Sequence, residues 1–134
     1  MPAVGEVAPV ETSRNQVWRG TMVEDYRVRL VVQAVELNPA TTVAELARLV
    51  RLSSSRLGHL FKLQVGHDLE DFLRNARLEK AAELLRTTEL SIKEIAAQVG
   101  YRHASSLDRG FKHVFGFEPA DYRRRHRNLT KACG

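Results

Sequence analysis

A repeat runs through this chain and limits what it can fold into. Thr42-Val43-Ala44-Glu45-Leu46-Ala47 returns as Ser91-Ile92-Lys93-Glu94-Ile95-Ala96, with Ser91 standing 49 residues after Thr42. Leu57, Phe61, Lys62, Gly66 and Phe72 return as Leu107, Phe111, Lys112, Gly116 and Tyr122, each 50 residues on. Periods of this length mark repeated supersecondary units. The extra residue falls in a short connection, Val50 to Ser53 in the first copy and Val99 to His103 in the second. Each copy opens on Thr or Ser with Glu three places later, the capping-box pattern that starts a helix. A helix of about eight residues, a turn and a second helix make a helix-turn-helix unit. Ala47 and Ala96 are small, as two closely crossing helices require. Gly100 suits a left-handed turn position. Arg51 holds the matching place in the first copy, at a cost of about 1 kcal/mol if the backbone is left-handed there.

Between the copies, Leu69 to Arg86 contains neither Gly nor Pro and reads as one continuous helix. Leu69, Phe72, Leu73 and Ala76 form one apolar stripe; Leu78, Ala81, Ala82 and Leu85 form another with the same spacing, nine residues later. Nine residues at about 100° each end half a turn past two full turns, so the stripes face opposite sides. That pattern suits a helix bridging two lobes. Ahead of the first copy, residues 23–37 read as a further helix with Tyr26, Leu30, Val31, Ala34 and Leu37 on its inner face. Asn38-Pro39 ends it. No strand-like alternation appears. The expected fold is all-α and homeodomain-like. It comprises a flexible tail over residues 1–20, a first lobe over 21–67, a linker helix over 68–87, a second lobe over 88–127 and a tail over 128–134.

Composition narrows the function. The 134 residues carry 21 Lys and Arg against 16 Asp and Glu, a net charge of +5 that favours a polyanionic partner. The single cysteine, Cys133, leaves no disulfide framework within one chain and no cysteine-based zinc site. No run of 18 apolar residues predicts a membrane span, and no secretory signal is read. A cytoplasmic setting is the expectation. No nucleophile elbow, P-loop or HExxH helix occurs, and His59, His67, His103, His113 and His126 lack metal-ligand spacing. The chain is therefore not expected to be an enzyme, nor to hold a cofactor or metal. Two helix-turn-helix lobes on a stiff bridge suit two major-groove segments of one duplex. The competing readings are an RNA-binding helical module and a protein-interaction module. Against RNA, Phe61, Phe72, Phe111 and Phe115 fall at core periods rather than forming an exposed stacking platform.

The second copy, Ser91 through Lys112, resembles the signature of the AraC/XylS family of bacterial transcriptional regulators. So do Phe115-Gly116-Phe117-Glu118-Pro119-Ala120-Asp121-Tyr122-Arg123 after it and Arg77-Leu78-Glu79-Lys80-Ala81-Ala82-Glu83-Leu84-Leu85 before it. The resemblance covers about Val23 to Arg125. It implies a seven-helix DNA-binding domain in two lobes, either a free-standing small member or an isolated C-terminal domain. It further implies a double-stranded DNA partner, binding as a monomer, and activation through contact with RNA polymerase.

In the first recognition helix Ser53 is the expected N-cap, with Leu57, Leu60 and Phe61 buried. Ser54, Ser55, Gly58 and His59 are the expected base-facing residues, and by resemblance Ser55, Gly58 and His59 occupy base-reading positions. Gly58 offers no side chain and weakens the helix by about 1 kcal/mol relative to Ala. His59 lacks the bidentate fork that suits Arg to guanine. In the second recognition helix Leu107, Phe111 and Val114 point inward. Ser105, Ser106 and Arg109 match groove-facing family positions, and Arg109 has the fork for guanine. Asp108 is expected either to accept from cytosine or to buttress Arg109. His103 stands where the family has a capping Asp. Arg56, Lys62, Arg102, His103, Lys112 and His113 are the expected phosphate contacts.

Overall fold

The computed structural model describes residues 25–133, with side chains described through residue 127. Seven helices and no strand occur among these residues: α1 (Tyr26–Leu37), α2 (Val43–Leu49), α3 (Ser54–Val65), α4 (Leu69–Thr87), α5 (Ile92–Gln98), α6 (Ala104–Phe115) and α7 (Pro119–Cys133). The tail expected over 1–20, the predicted helix start at Val23 and the Cys133 side chain lie outside this description. Helix α7 runs on to Cys133, so residues 128–133 continue a helix where a tail was expected. No helix described here is long and apolar enough to cross a membrane.

Both predicted capping boxes form. Thr42 and Ser91 accept from the Glu45 and Glu94 amides at 3.2 and 3.0 Å, and the two glutamates accept in return from the cap amides. These bonds satisfy N–H groups that the first turn of a helix otherwise leaves unpaired. The turns after α2 and α5 share one hydrogen-bond pattern. Arg51 and Gly100 donate to Arg48 and Ala97 at 3.2 and 3.3 Å, and Leu52 and Tyr101 reach back to Ala47 and Ala96 at 2.9 and 2.8 Å. This is a Schellman termination, whose pivot takes a left-handed backbone. Arg51 has φ 61° and Gly100 φ 99°. Helices α3 and α6 both end on left-handed glycines, Gly66 at φ 90° and Gly116 at φ 85°.

The described residues fall into two compact units. One takes residues 25–34 and Thr42–Asn75; the other takes Val35–Thr41 and residues 76–133. In the first, Leu46, Leu57 and Phe61 are fully buried and the Phe61 and Phe72 rings pack 5.3 Å apart. In the second, Leu78, Ala81, Leu85, Ile95, Leu107 and Phe111 form the centre of the core. The Phe111 ring meets Phe115 at 4.4 Å and Tyr122 at 5.2 Å. Phe61–Phe72 and Phe111–Tyr122 are therefore the same aromatic pair in two copies. Helix α4 is continuous, with Leu69, Phe72 and Leu73 buried in its first half and Leu78, Ala81, Ala82 and Leu85 in its second.

Helix α1 buries Val31 of the expected inner face and corrects most of the rest. Val28, Val31, Val32 and Val35 are buried, whereas Tyr26 and Leu37 are 62% and 88% exposed and Leu30 is also on the surface. Both sets repeat at three and four residues, so periodicity alone cannot choose between them. Packing selects the register whose four members are all short and branched. Leu60, expected to be buried, is only half-buried. The second unit also claims the turn after α1. Arg77 donates from Nε to the Pro39 carbonyl at 2.9 Å and from a terminal nitrogen to the Thr41 carbonyl at 2.7 Å. The missing side chain of Gly100 admits that turn, since a Cβ there would lie 3.0 Å from the Ala40 Cα and 3.2 Å from Arg77 Nε.

Candidate nucleic-acid interface

The second helix of each repeat buries one side and leaves the other to solvent. On α3, Leu57, Phe61 and Val65 are buried; on α6, Leu107 and Phe111 are. The opposite side of α3 presents Ser54, Ser55, Arg56, His59 and Lys62 as exposed residues, with Gly58 half-buried. On α6, Ser105, Arg109, Lys112 and His113 are exposed and Ser106 is half-buried; Arg102 and His103 are exposed just ahead of the helix. Val114 and Ala104 are half-buried at the margins of α6. Each expected base-facing group therefore shares one helix, and each expected phosphate contact except Arg102 and His103 lies on one of those two helices too.

Charge pairing separates these cations. Lys62 lies 3.4 Å from Asp68, with both side chains largely in solvent. The attraction is weak and screened there, so Lys62 remains available to a phosphate. Arg56, Arg102, Arg109 and Lys112 form no ion pair among the described residues. Positive charge without an internal partner suits a surface that meets a polyanion. Asp108 and Arg109 form no ion pair with each other among the described residues. Burial raises the Asp108 carboxyl above the ordinary aspartate range, and the nearby Glu118 carboxylate pushes it the same way.

The two helix starts differ. Ser53 caps α3 by accepting from the Arg56 amide at 3.1 Å. His103 stands at the N-cap of α6 with the right extended backbone and no side-chain cap bond. Imidazole cannot reach the first-turn amides as a short hydroxyl or carboxylate does. Gly58 is not imposed by packing, for a Cβ at that position would meet no atom within 4 Å.

The sequence reading missed one residue beside α3. Arg27, from the first turn of α1, lines a groove of about 410 Å³ together with Leu52, Ser55, Arg56, His59, Leu60 and Leu63. It belongs to neither repeat, so nothing in the spacing pointed to it. A second groove, of about 500 Å³, joins Lys112 at the end of α6 to Gly116, Phe117, Glu118, Asp121 and Arg124 at the start of α7. Arg125 sits over the Phe117 ring at 4.3 Å, and Asp121 pairs with Arg124 at 2.6 Å and with Arg125 at 3.4 Å. Those two arginines draw the Asp121 carboxyl below its ordinary value. Among the described residues, no three His, Cys, Asp or Glu side chains gather as a metal site.

Comparison with known proteins gives a consistent set. The profile of a family described as "Helix-turn-helix domain" matches residues 46–125. An AraC-like transcription regulator of Streptomyces lividans is 41% identical over 83 residues, covering 62% of this chain and 27% of that protein. The arabinose operon regulatory protein of Escherichia coli K12 is 33% identical over 102 residues, covering 74% of this chain and 35% of that protein. The chain thus spans about a quarter to a third of the length of such relatives. Among solved structures, the C-terminal domain of AraT, a response regulator from Geobacillus stearothermophilus, aligns with TM-score 0.69 at 34% identity, over 75% of this chain and 86% of that one. The DNA-binding domain of AdpA, solved in complex with a target DNA, aligns with TM-score 0.70 at 27% identity, over 79% and 96%.

Proposed function

This chain belongs to the AraC-type helix-turn-helix family, and from that premise we propose that it is a sequence-specific DNA-binding module that regulates transcription. Helices α3 and α6 each enter a major-groove segment of one duplex, and the module binds as a monomer. The observation that carries this reading is the matched pair of exposed faces. Ser54, Ser55, Gly58 and His59 on α3 and Ser105, Ser106 and Arg109 on α6 turn away from two equivalent cores. Arg56, Lys62, Arg102, His103, Lys112 and His113 flank them as phosphate contacts. The relative solved with a target DNA bound supports the same partner.

Arg109 is the strongest base reader of the set, because its fork matches the two acceptors of guanine in the major groove. The α3 face reads less, with a glycine and a histidine at its centre, and works more through backbone contact and duplex shape. The expected outcome on a promoter is activation through contact with RNA polymerase, and the expected setting is the cytoplasm. The role is binding rather than catalysis.

Selection from a random duplex pool at moderate salt tests the reading. Two short enriched elements about one helical turn apart, with more information in one than in the other, are the expected result. Binding that shows no enrichment and fades uniformly as salt rises would overturn it, leaving charge attraction alone.

A further inference from the structure

The first unit holds an arginine whose setting the repeats do not explain. The Arg27 guanidinium forks onto Asp25, with Nε donating to Oδ1 at 3.1 Å and a terminal nitrogen to Oδ2 at 2.9 Å. Asp25 is held in turn. Its Oδ1 also accepts from the Arg27 amide at 2.9 Å, and its carbonyl accepts from the Val28 and Arg29 amides at 3.1 and 3.2 Å. Its own amide donates to Gln64 Oε1, on α3, at 3.2 Å. The aspartate therefore sits fixed at the head of α1 and is tied directly to the helix that carries Ser55 and His59. Arg27 holds the Asp25 carboxyl down at about 2, so the pair stays ionised at any working pH.

A guanidinium has five N–H donors, and the side-chain bonds to Asp25 use two of them. The remaining donors belong to a group that lines the same groove as Ser55, Arg56 and His59. Leu52, Leu60 and Leu63 line it as well. An apolar lining reduces competition from water and strengthens a charge-assisted bond made there. An arginine already held in one geometry loses less freedom on binding than a loose one.

We propose that Arg27 contacts a backbone phosphate of the DNA and that Asp25 is the positioning residue that presents it. The inference rests on the DNA-binding reading above and adds a contact from outside the two recognition helices. Its distinctive consequence is a sign. By charge alone, removing the Asp25 carboxylate from a DNA-facing surface strengthens binding. By positioning, removing it frees the guanidinium and weakens binding.

The test uses the full chain and fluorescence anisotropy on two duplexes, one enriched from the random pool and one scrambled, across a salt series. Arg27→Ala and Arg27→Gln are expected to weaken binding to both duplexes by about three- to tenfold at low salt. They are also expected to reduce the slope of log affinity against log salt by about 1, the mark of one lost phosphate contact. Asp25→Asn is expected to weaken binding to both, although it adds one net positive charge. Arg27→Lys keeps the charge without the fork and is expected to restore the salt slope but not the affinity. Melting curves establish that each variant is folded, and the glutamine and lysine variants serve if the alanine one is not. Wild-type binding to duplex with unchanged Arg27→Gln affinity and slope overturns this inference alone. Tighter binding by Asp25→Asn overturns the positioning role. Failure of the wild type to bind any duplex removes the DNA-binding reading and this contact together.

Discussion

Arg51 and Gly100 occupy the same left-handed corner of two helix-turn-helix turns, at φ 61° and 99°, with the same pair of backbone hydrogen bonds closing each turn. Glycine adopts this conformation without steric cost, whereas a side chain carries about 1 kcal/mol of strain. Arg51→Gly should therefore stabilise the protein by no more than about 0.5 kcal/mol in urea unfolding, because the freer unfolded chain that glycine brings offsets part of the relieved strain. Gly100→Ala should destabilise it by about 2 kcal/mol or more, because its Cβ would also press on Ala40 at 3.0 Å. Equal effects at the two positions would refute the strain argument.

The caps of α3 and α6 make a matched pair of tests. Ser53→Ala removes the bond to the Arg56 amide and should cost about 1 kcal/mol. His103→Ser places a hydroxyl on a backbone that already has the extended geometry of an N-cap, and should add about 0.5–1 kcal/mol. Thermal melting of the two variants and of the double variant should show additive shifts, since the caps are on separate helices.

Arg77 is expected to be intolerant of lysine. Its fork satisfies the Pro39 and Thr41 carbonyls at once, and a single ammonium cannot occupy both positions in the same way. Arg77→Ala should cost about 2–3 kcal/mol, the usual range for charge-assisted bonds to partly buried groups. Arg77→Lys should recover less than half of that. Hydrogen exchange at the Gly100 and Tyr101 amides, in the adjacent turn, should quicken in both variants.

Asp108 gives a pH signature. Its carboxyl is raised above the ordinary value by burial and then by Glu118, so the folded state disfavours the ionised form. The cost is present above the folded-state value and vanishes once pH falls below the unfolded value, 3.8. Asp108→Asn should therefore raise the melting temperature at neutral pH, and the gain should fade through the acid range. A gain that persists at low pH would show that charge is not its source.

Arg109 and Arg56 should separate by what they do to sequence preference. Arg109→Ala should cost about 1–3 kcal/mol on the best duplex and flatten the preference at one base pair. Arg56→Ala should weaken enriched and scrambled duplexes alike and lower the salt slope by about 1. Competition binding on both duplexes reads the difference. Unchanged base preference in Arg109→Ala would move that arginine to the backbone contacts.

Much of this was legible in the chain because it is local or repeated. Thr42 with Glu45 and Ser91 with Glu94 announce helix starts within four residues, and both boxes form. The stripes of α4 could be read because each repeats at helical spacing, and their buried members are those expected apart from Ala76, which is half-buried. The outward sides of α3 and α6 follow from the buried Leu57, Phe61, Leu107 and Phe111 by helical geometry. The 49-residue offset between the first helices of the repeats sets Arg51 opposite Gly100, which marks the left-handed corner in both turns.

Tertiary structure decided what spacing leaves degenerate or what links distant positions. Two overlapping sets on α1 satisfy the same period and share Val31, and packing chose the four valines over Tyr26, Leu30 and Leu37. Val35–Thr41 joins the second unit through bonds to Arg77, 36 and 38 residues away. Arg27 comes beside Ser55 and His59 because Asp25, which holds it, is bonded to Gln64, 39 residues on. Hydrophobic period and helix caps are properties of a few consecutive residues, so the sequence states them. A hydrogen bond across three or four dozen residues exists only after the chain has closed on itself, and its partners carry no mark of it beforehand.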